Sequence, residues 1–338
     1  MSVNLKSIKE QVLVITGATS GIGLATARLA AHRGARGLVL VARSAEALRT
    51  LADELNSRHP ATRTIFIAGD VADKETHRKA AEAAVEQFGN FDTWINDAGV
   101  SIFGRLSEVE EKDHRRLFET NFWGLVHGSL TAVDYLQGNG GALINLGSIA
   151  SERAIPIQGM YSASKHAVKG FTDALRMELE ADQRPISVTL IKPTSINTPF
   201  TIHAKNYMED EPDLPPPVYA PELVAEAILH AAETPVRDLM VGGGAKLFSL
   251  AETFLPGMAD KLMTKTTIKQ QHSGRPRRNT NTLYTAGNKL REEGEHEGMV
   301  RRYSCYTEAA MHPVMSVAAL VGLGAIAAAG SLAVMKRR

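Results

Sequence analysis

From residue 11 to about residue 243, short apolar runs alternate with longer stretches where charged and apolar residues recur at helical spacing. The short runs fall at 12–15, 38–41, 64–67, 93–95, 142–146, 187–191 and 239–241. They are mostly apolar throughout and do not alternate with polar residues, as suits strands of a parallel sheet covered on both faces. Residues 24–32, 45–56 and 74–88 mix apolar and polar positions in the manner of helices packed on such a sheet. This strand–helix alternation predicts a doubly wound, parallel α/β domain of Rossmann type with about seven strands.

The pattern changes after the last strand. Residues 245–263 read as one more amphipathic helix. Residues 264–312 turn polar and basic, and we read them as a solvated linker. A competing reading is a juxtamembrane segment drawn to anionic lipid, but Glu292, Glu293, Glu295 and Glu297 dilute the charge. Residues 314–335 carry no charge and are followed by Lys336, Arg337 and Arg338. At 1.5 Å per residue such a helix crosses a hydrocarbon core of roughly 30 Å. The expected organisation is therefore a Rossmann-like α/β domain at 1–263, a linker at 264–312 and a membrane anchor at 313–338. The positive-inside rule keeps the last three residues cytoplasmic. A tail anchor would instead push them across and leave the large domain in the cytoplasm. The first residues contain no apolar core of signal-peptide length, and the run at 12–15 leads straight into a glycine-rich turn.

Composition adds exclusions. The 338 residues include 38 Lys and Arg against 37 Asp and Glu, for a net charge of +1, which offers no electrostatic case for nucleic-acid binding. With 44% hydrophobic and 22% charged residues the chain is neither disordered, collagen-like nor a coiled coil. The single cysteine, Cys305, cannot form an internal disulfide, which fits a reducing compartment. The histidines are scattered without ligand spacing, so no metal site is expected. A Gly-x-Ser-x-Gly elbow is absent, which removes the serine-hydrolase reading.

The first run leads into Thr16, Gly17, Ser20, Gly21, Ile22 and Gly23, and then into a helix. Glycines there let backbone N–H groups approach a pyrophosphate, and the helix N-terminus adds unpaired donors. The second strand ends at Val41-Ala42-Arg43-Ser44 with no acid to accept a ribose 2′-hydroxyl. Arg43 is suited to a 2′-phosphate, so NADP is expected over NAD.

Tyr161 and Lys165, four apart, share one helix face. An ammonium beside a phenol favours phenolate, predicting a lowered tyrosine pKa and proton transfer near neutral pH. Upstream, a strand ends near Ser148. Asn96-Asp97-Ala98-Gly99 follows the fourth strand, and Asn121 lies in a later helix. Together with the Gly-x-x-x-Gly-x-Gly turn, these motifs resemble, in order, those of the short-chain dehydrogenase/reductase family, over roughly residues 8–245. The resemblance implies Tyr161 as general acid or base and Lys165 as the group that tunes it and holds the nicotinamide ribose. It implies Ser148 as the group on the substrate oxygen and Asn121 as the holder of a relay water. It also implies cofactor contacts from Asp70, Val71, Asn96, Ala98, Gly99, Pro193, Ile196 and Thr198, and a dimer or tetramer through the helices after the fourth and fifth strands. Two departures stand out: Asp97 replaces an asparagine, and Thr194 replaces a glycine after Pro193.

The expected activity is NADP-dependent interconversion of a ketone or aldehyde and an alcohol, on a lipophilic small molecule if the chain is membrane-bound. The alternatives are a catalytically quiet dinucleotide-binding scaffold or redox sensor, and a sugar-nucleotide epimerase or dehydratase on the same fold. The proline-rich stretch 201–219 follows the sixth strand and reads either as a substrate-covering loop or as a plain connection.

Overall fold

A computed structural model describes residues 3–243 and 256–312. Seven strands form one sheet: β1 (Val12–Thr16), β2 (Gly37–Ala42), β3 (Arg63–Ala68), β4 (Thr93–Asn96), β5 (Gly141–Leu146), β6 (Ile186–Pro193) and β7 (Asp238–Val241). Their spatial order is β7-β6-β5-β4-β1-β2-β3, all parallel. Val14 stands opposite Val39 on one side and Trp94 on the other. The winding reverses between β1 and β4, and ligands of such sheets bind beyond the carboxyl ends of the strands at that point.

Period-two alternation assigns the strand residues to two layers. Leu13, Ile15, Leu38 and Ile144 face α1 (Gly21–His32), α2 (Ala45–Arg58) and α7 (Pro221–Glu233) through Leu24, Leu48 and Ile228. Val12, Val14, Trp94 and Leu143 face α3 (Lys74–Phe88), α5 (Gly124–Leu136) and α6 (Gly159–Ala181) through Ala80, Leu136 and Leu175. Local signals set the helix ends. The Ser44 hydroxyl accepts the Ala47 N–H at 3.2 Å, and Gly89 closes α3 at φ 80°. Asn121, expected in a regular helix, lies instead in a π-helical turn, Glu119–Trp123, between α4 (Glu111–Phe118) and α5.

The region expected to be a solvated linker is folded onto the domain. Of the helix expected at 245–263, the described part begins at Pro256 and continues to Gln270 (α8). A strand at His272–Pro276 then pairs antiparallel with Asp210–Pro212, and Val300–Arg301 pairs parallel with Val218–Tyr219. Helix α9 (Cys305–Met311) sets Met311 into the core. The four glutamates at 292–297 are ion-paired, Glu292 with Arg28, Glu293 with Arg302, Glu295 with Arg278 and Arg291, and Glu297 with Arg275. Among the described residues no helix is long and apolar enough to cross a membrane, and the expected anchor at 314–335 lies outside them.

Candidate active site

The glycine turn is built as its spacing requires. Gly17 and Gly21 adopt φ of 72° and 54°, and a Cβ on Gly23 would stand 2.5 Å from the Gly17 carbonyl oxygen. The Thr16 hydroxyl accepts the N–H groups of Asp97 and Ala98 at 3.0 and 3.2 Å and donates to the Ile95 carbonyl, tying β1 to β4 across the crevice. Gly17, Ser20, Gly21 and Ile22 line the cavity above, whereas Thr16 and Gly23 shape it from behind.

That cavity, of about 560 Å³, brings together Ser148, Tyr161, Lys165, Asp97, Ala98 and Gly99. Tyr161 and Lys165 share a face of α6, with the lysine Nζ 5.8 Å from the ring centroid. The Ser148 hydroxyl is oriented by the Ala150 N–H, which donates to it at 3.0 Å. Phe200 packs edge-on against the Tyr161 ring at 5.3 Å.

The expected lowering of the tyrosine pKa does not occur in this state. Burial pushes the phenol up to about 12; the Ser148 hydrogen bond works against the rise and the Asp97 charge adds to it. Lys165 is engaged elsewhere, donating to the Leu146 carbonyl at 2.7 Å. Burial brings it down to about 8, against the pull of Asp97. Burial likewise raises Asp97 to about 7, with Lys165 and the Gly23 N–H opposing.

Two expected site residues have their side-chain amides committed to hydrogen bonds within the fold. Asn96 does not border either cavity. Its amide donates to Ser129 and Asn145 and accepts from the Trp94 indole, because the alternation of β4 turns it into the sheet. Asn121 is buried and its amide is used at both ends: Oδ1 accepts the Val100 N–H, and Nδ2 donates to the Val100 carbonyl and to Ser164. Pro193, Ile196 and Thr198 line the main cavity. Thr194 is accommodated by Gly242, where a Cβ would stand 2.2 Å from the threonine hydroxyl.

Part of the cavity lining is apolar, beside Thr266, Thr267 and Gln270 of α8. Leu214 and Pro215 from the proline-rich stretch face Leu262 and Met263 of α8, with Ile155 and Phe200 beside them. The 201–219 stretch is thus a cavity wall and not a plain connection.

A second, smaller cavity of about 100 Å³ holds Arg43, Asp70 and Val71, the residues expected around the adenosine. Asp70 is ion-paired with Arg116. His203 lines both cavities. Thr282, Ala286, Gly287 and Lys289 complete the smaller one, and Arg43 donates to the Thr282 carbonyl at 2.6 Å. Sequence reasoning missed these four residues and the α8 wall. Both are brought in from far along the chain, and no local motif marks them.

A family model described as short chain dehydrogenase matches residues 11–209. The uncharacterized oxidoreductase YxnA of Bacillus subtilis (strain 168) is 45% identical over 333 residues, covering 97% of this chain and 92% of its own. Among solved structures, L-sorbose reductase from Gluconobacter frateurii, complexed with NADPH and L-sorbose, aligns with a TM-score of 0.61 at 26% identity, over 72% of this chain and 98% of that one. A short chain dehydrogenase from Burkholderia cenocepacia J2315 in complex with NADP aligns with a TM-score of 0.64 at 25% identity, over 76% of this chain and 99% of that one.

Proposed function

Because this chain belongs to the short-chain dehydrogenase family and is an NAD(P)-dependent oxidoreductase, we propose that it reduces a lipophilic ketone or aldehyde with NADPH, or runs the reverse oxidation. The observation that carries this reading is the single cavity joining the glycine turn to Ser148, Tyr161 and Lys165. The residues present suit a dinucleotide. The turn leaves no room for a Cβ at Gly17 or Gly23, and His203 makes the nicotinamide-side and adenosine-side cavities adjoin. The cofactor, when bound, supplies or accepts the hydride.

In reduction, Tyr161 donates its phenolic proton to the substrate oxygen, while the Ser148 hydroxyl holds that oxygen in place. A phenol held well above neutrality keeps its proton until the substrate arrives. Lys165 lies along the same helix face, where its ammonium would hold the nicotinamide ribose and ease loss of the phenolic proton. Asn121 acts as a positioning residue, fixing Val100 and Ser164 under the site. The apolar residues of the lining, Ile155, Phe200, Leu214, Leu262 and Met263, support a lipophilic substrate. The absence of an acid after β2, with Arg43 lining the adenosine cavity, supports NADP over NAD. We also propose a dimer or tetramer, on the ground that Trp123, Leu130 and Met177 are exposed on the helices after β4 and β5.

The full chain is to be screened for NADPH oxidation against carbonyl compounds graded from polar to lipophilic. Turnover should favour the lipophilic members, and Tyr161→Phe should lower kcat by about 10²-fold or more with NADPH affinity kept. Binding of NADPH with no turnover across the panel would replace this reading with the quiet scaffold. Turnover without net NADPH consumption would point to epimerase chemistry.

A further inference from the structure

Residues 282–291 cross the mouth of the crevice and are held at both ends. At one end Leu283 is fully buried in the cluster that holds Val100 and Leu117, and the Tyr284 hydroxyl donates to Asp113 at 2.7 Å. There too the Thr282 N–H donates to the His203 carbonyl at 2.8 Å. At the other end the Gly21 N–H, in the phosphate turn itself, donates to the Arg291 carbonyl at 2.9 Å, and Arg28 donates to Glu292 at 2.7 Å. Between these anchors Lys289 lines the same small cavity as Arg43 and Ser20.

The lining cations Arg43 and Lys289 outnumber the one lining carboxylate, Asp70, whose charge acts on Arg43 as well as on Arg116. Arg116 is spent on Asp70, and Arg291 on Glu295. Arg43 donates only to the backbone carbonyls of Thr282 and Leu283, and Lys289 has no hydrogen bond or ion pair among the described residues. His203, between the two cavities, is held neutral by its burial and then by the charges of Arg43 and Arg291. Two cations lining one small cavity favour the entry of an anion.

We infer that this segment is a strap completing the adenosine end of the cofactor site, and that Lys289 is a second cation, beside Arg43, for the 2′-phosphate of NADP. The inference rests on the dinucleotide reading above and extends it to a part of the chain beyond the residues matched by the family model.

The test is direct binding of NADPH and NADH to the full chain, without substrate, for wild type, Arg43→Ala, Lys289→Ala and Lys289→Arg. Lys289→Ala should weaken NADPH about tenfold and leave NADH unchanged, because only the 2′-phosphate contact is lost. Lys289→Arg should retain most of the preference. Weakening of both nucleotides alike, or of neither, would overturn the assignment of Lys289 while leaving the cofactor reading intact if Arg43→Ala still erases the preference. Equal affinity of wild type for the two nucleotides would overturn 2′-phosphate recognition at both residues. A wild type that binds neither would overturn the dinucleotide reading, and the strap's role with it.

Discussion

Asp97 is the residue at which this chain departs from its family's pattern closest to the chemistry. Its carboxylate sits behind the glycine turn, where a Cβ on Gly23 would stand 2.7 Å from Oδ2. Burial raises its pKa from 3.8 to about 7, so the folded chain holds a proton there that the unfolded chain releases. The stability this contributes is present in full below about pH 4 and is lost as pH rises through about 7. Lys165, brought down from 10.5 to about 8, acts in a higher window: its burial costs stability below about pH 8, and that cost is relieved as pH rises towards 10.5. Asp97→Asn should therefore flatten the fall in stability between pH 5 and pH 8, leaving the variant favoured at pH 8 by about 1 kcal/mol or more. Denaturant unfolding of both proteins at the two pH values checks this, and parallel pH dependence would refute it. Sequence identified Asp97 as a departure. Its consequence needed the fold, because a pKa depends on what surrounds the group and not on its neighbours in the chain.

Among the elements, the strap carries the most weight for its size. Leu283 is its buried peg; Tyr284, Thr282 and Arg291 supply hydrogen bonds on either side. Leu283→Ala removes a fully buried side chain, a change that costs about 2–5 kcal/mol where a core cannot collapse around it. Here the loss should fall on the strap first, since its remaining apolar anchor is the half-buried Leu290 and its other ties are hydrogen bonds. Amide exchange across 282–291 should accelerate while β1, β4 and β5 stay protected. Unchanged exchange in the strap would show that its polar ties suffice. Nothing in the polarity of 264–312 announces such an element. Its polar groups satisfy partners across the crevice, and a local pattern cannot tell that from solvation.

At the scale of the molecule, the two layers of helices enclose the sheet, yet some apolar surface remains outside. Trp123 and Leu130, seven residues apart and so on one side of their helix, are each 45% exposed, and Met177 on the neighbouring α6 is 60% exposed. The proposed dimer or tetramer would bury these side chains. Trp123→Glu should lower the mass measured by light scattering from that of an oligomer to that of a single chain, with far-ultraviolet circular dichroism unchanged. A wild type that already runs as a single chain would remove the proposed dimer or tetramer.

The sequence by itself determined the sheet, the glycine turn and the Ser148, Tyr161 and Lys165 set. Strands buried on both faces must be apolar, a phosphate turn must use glycine, and a helix brings residues four apart together. All three are local requirements, so they leave local traces. Only the tertiary structure decided that the side chains of Asn96 and Asn121 are spent on internal hydrogen bonds, that Gly242 makes room for Thr194, and that α8 and residues 282–289 line the two cavities. These depend on which distant segments meet over the crevice between β1 and β4. Contacts of that kind follow from packing and loop closure across the whole chain, which no window of residues contains.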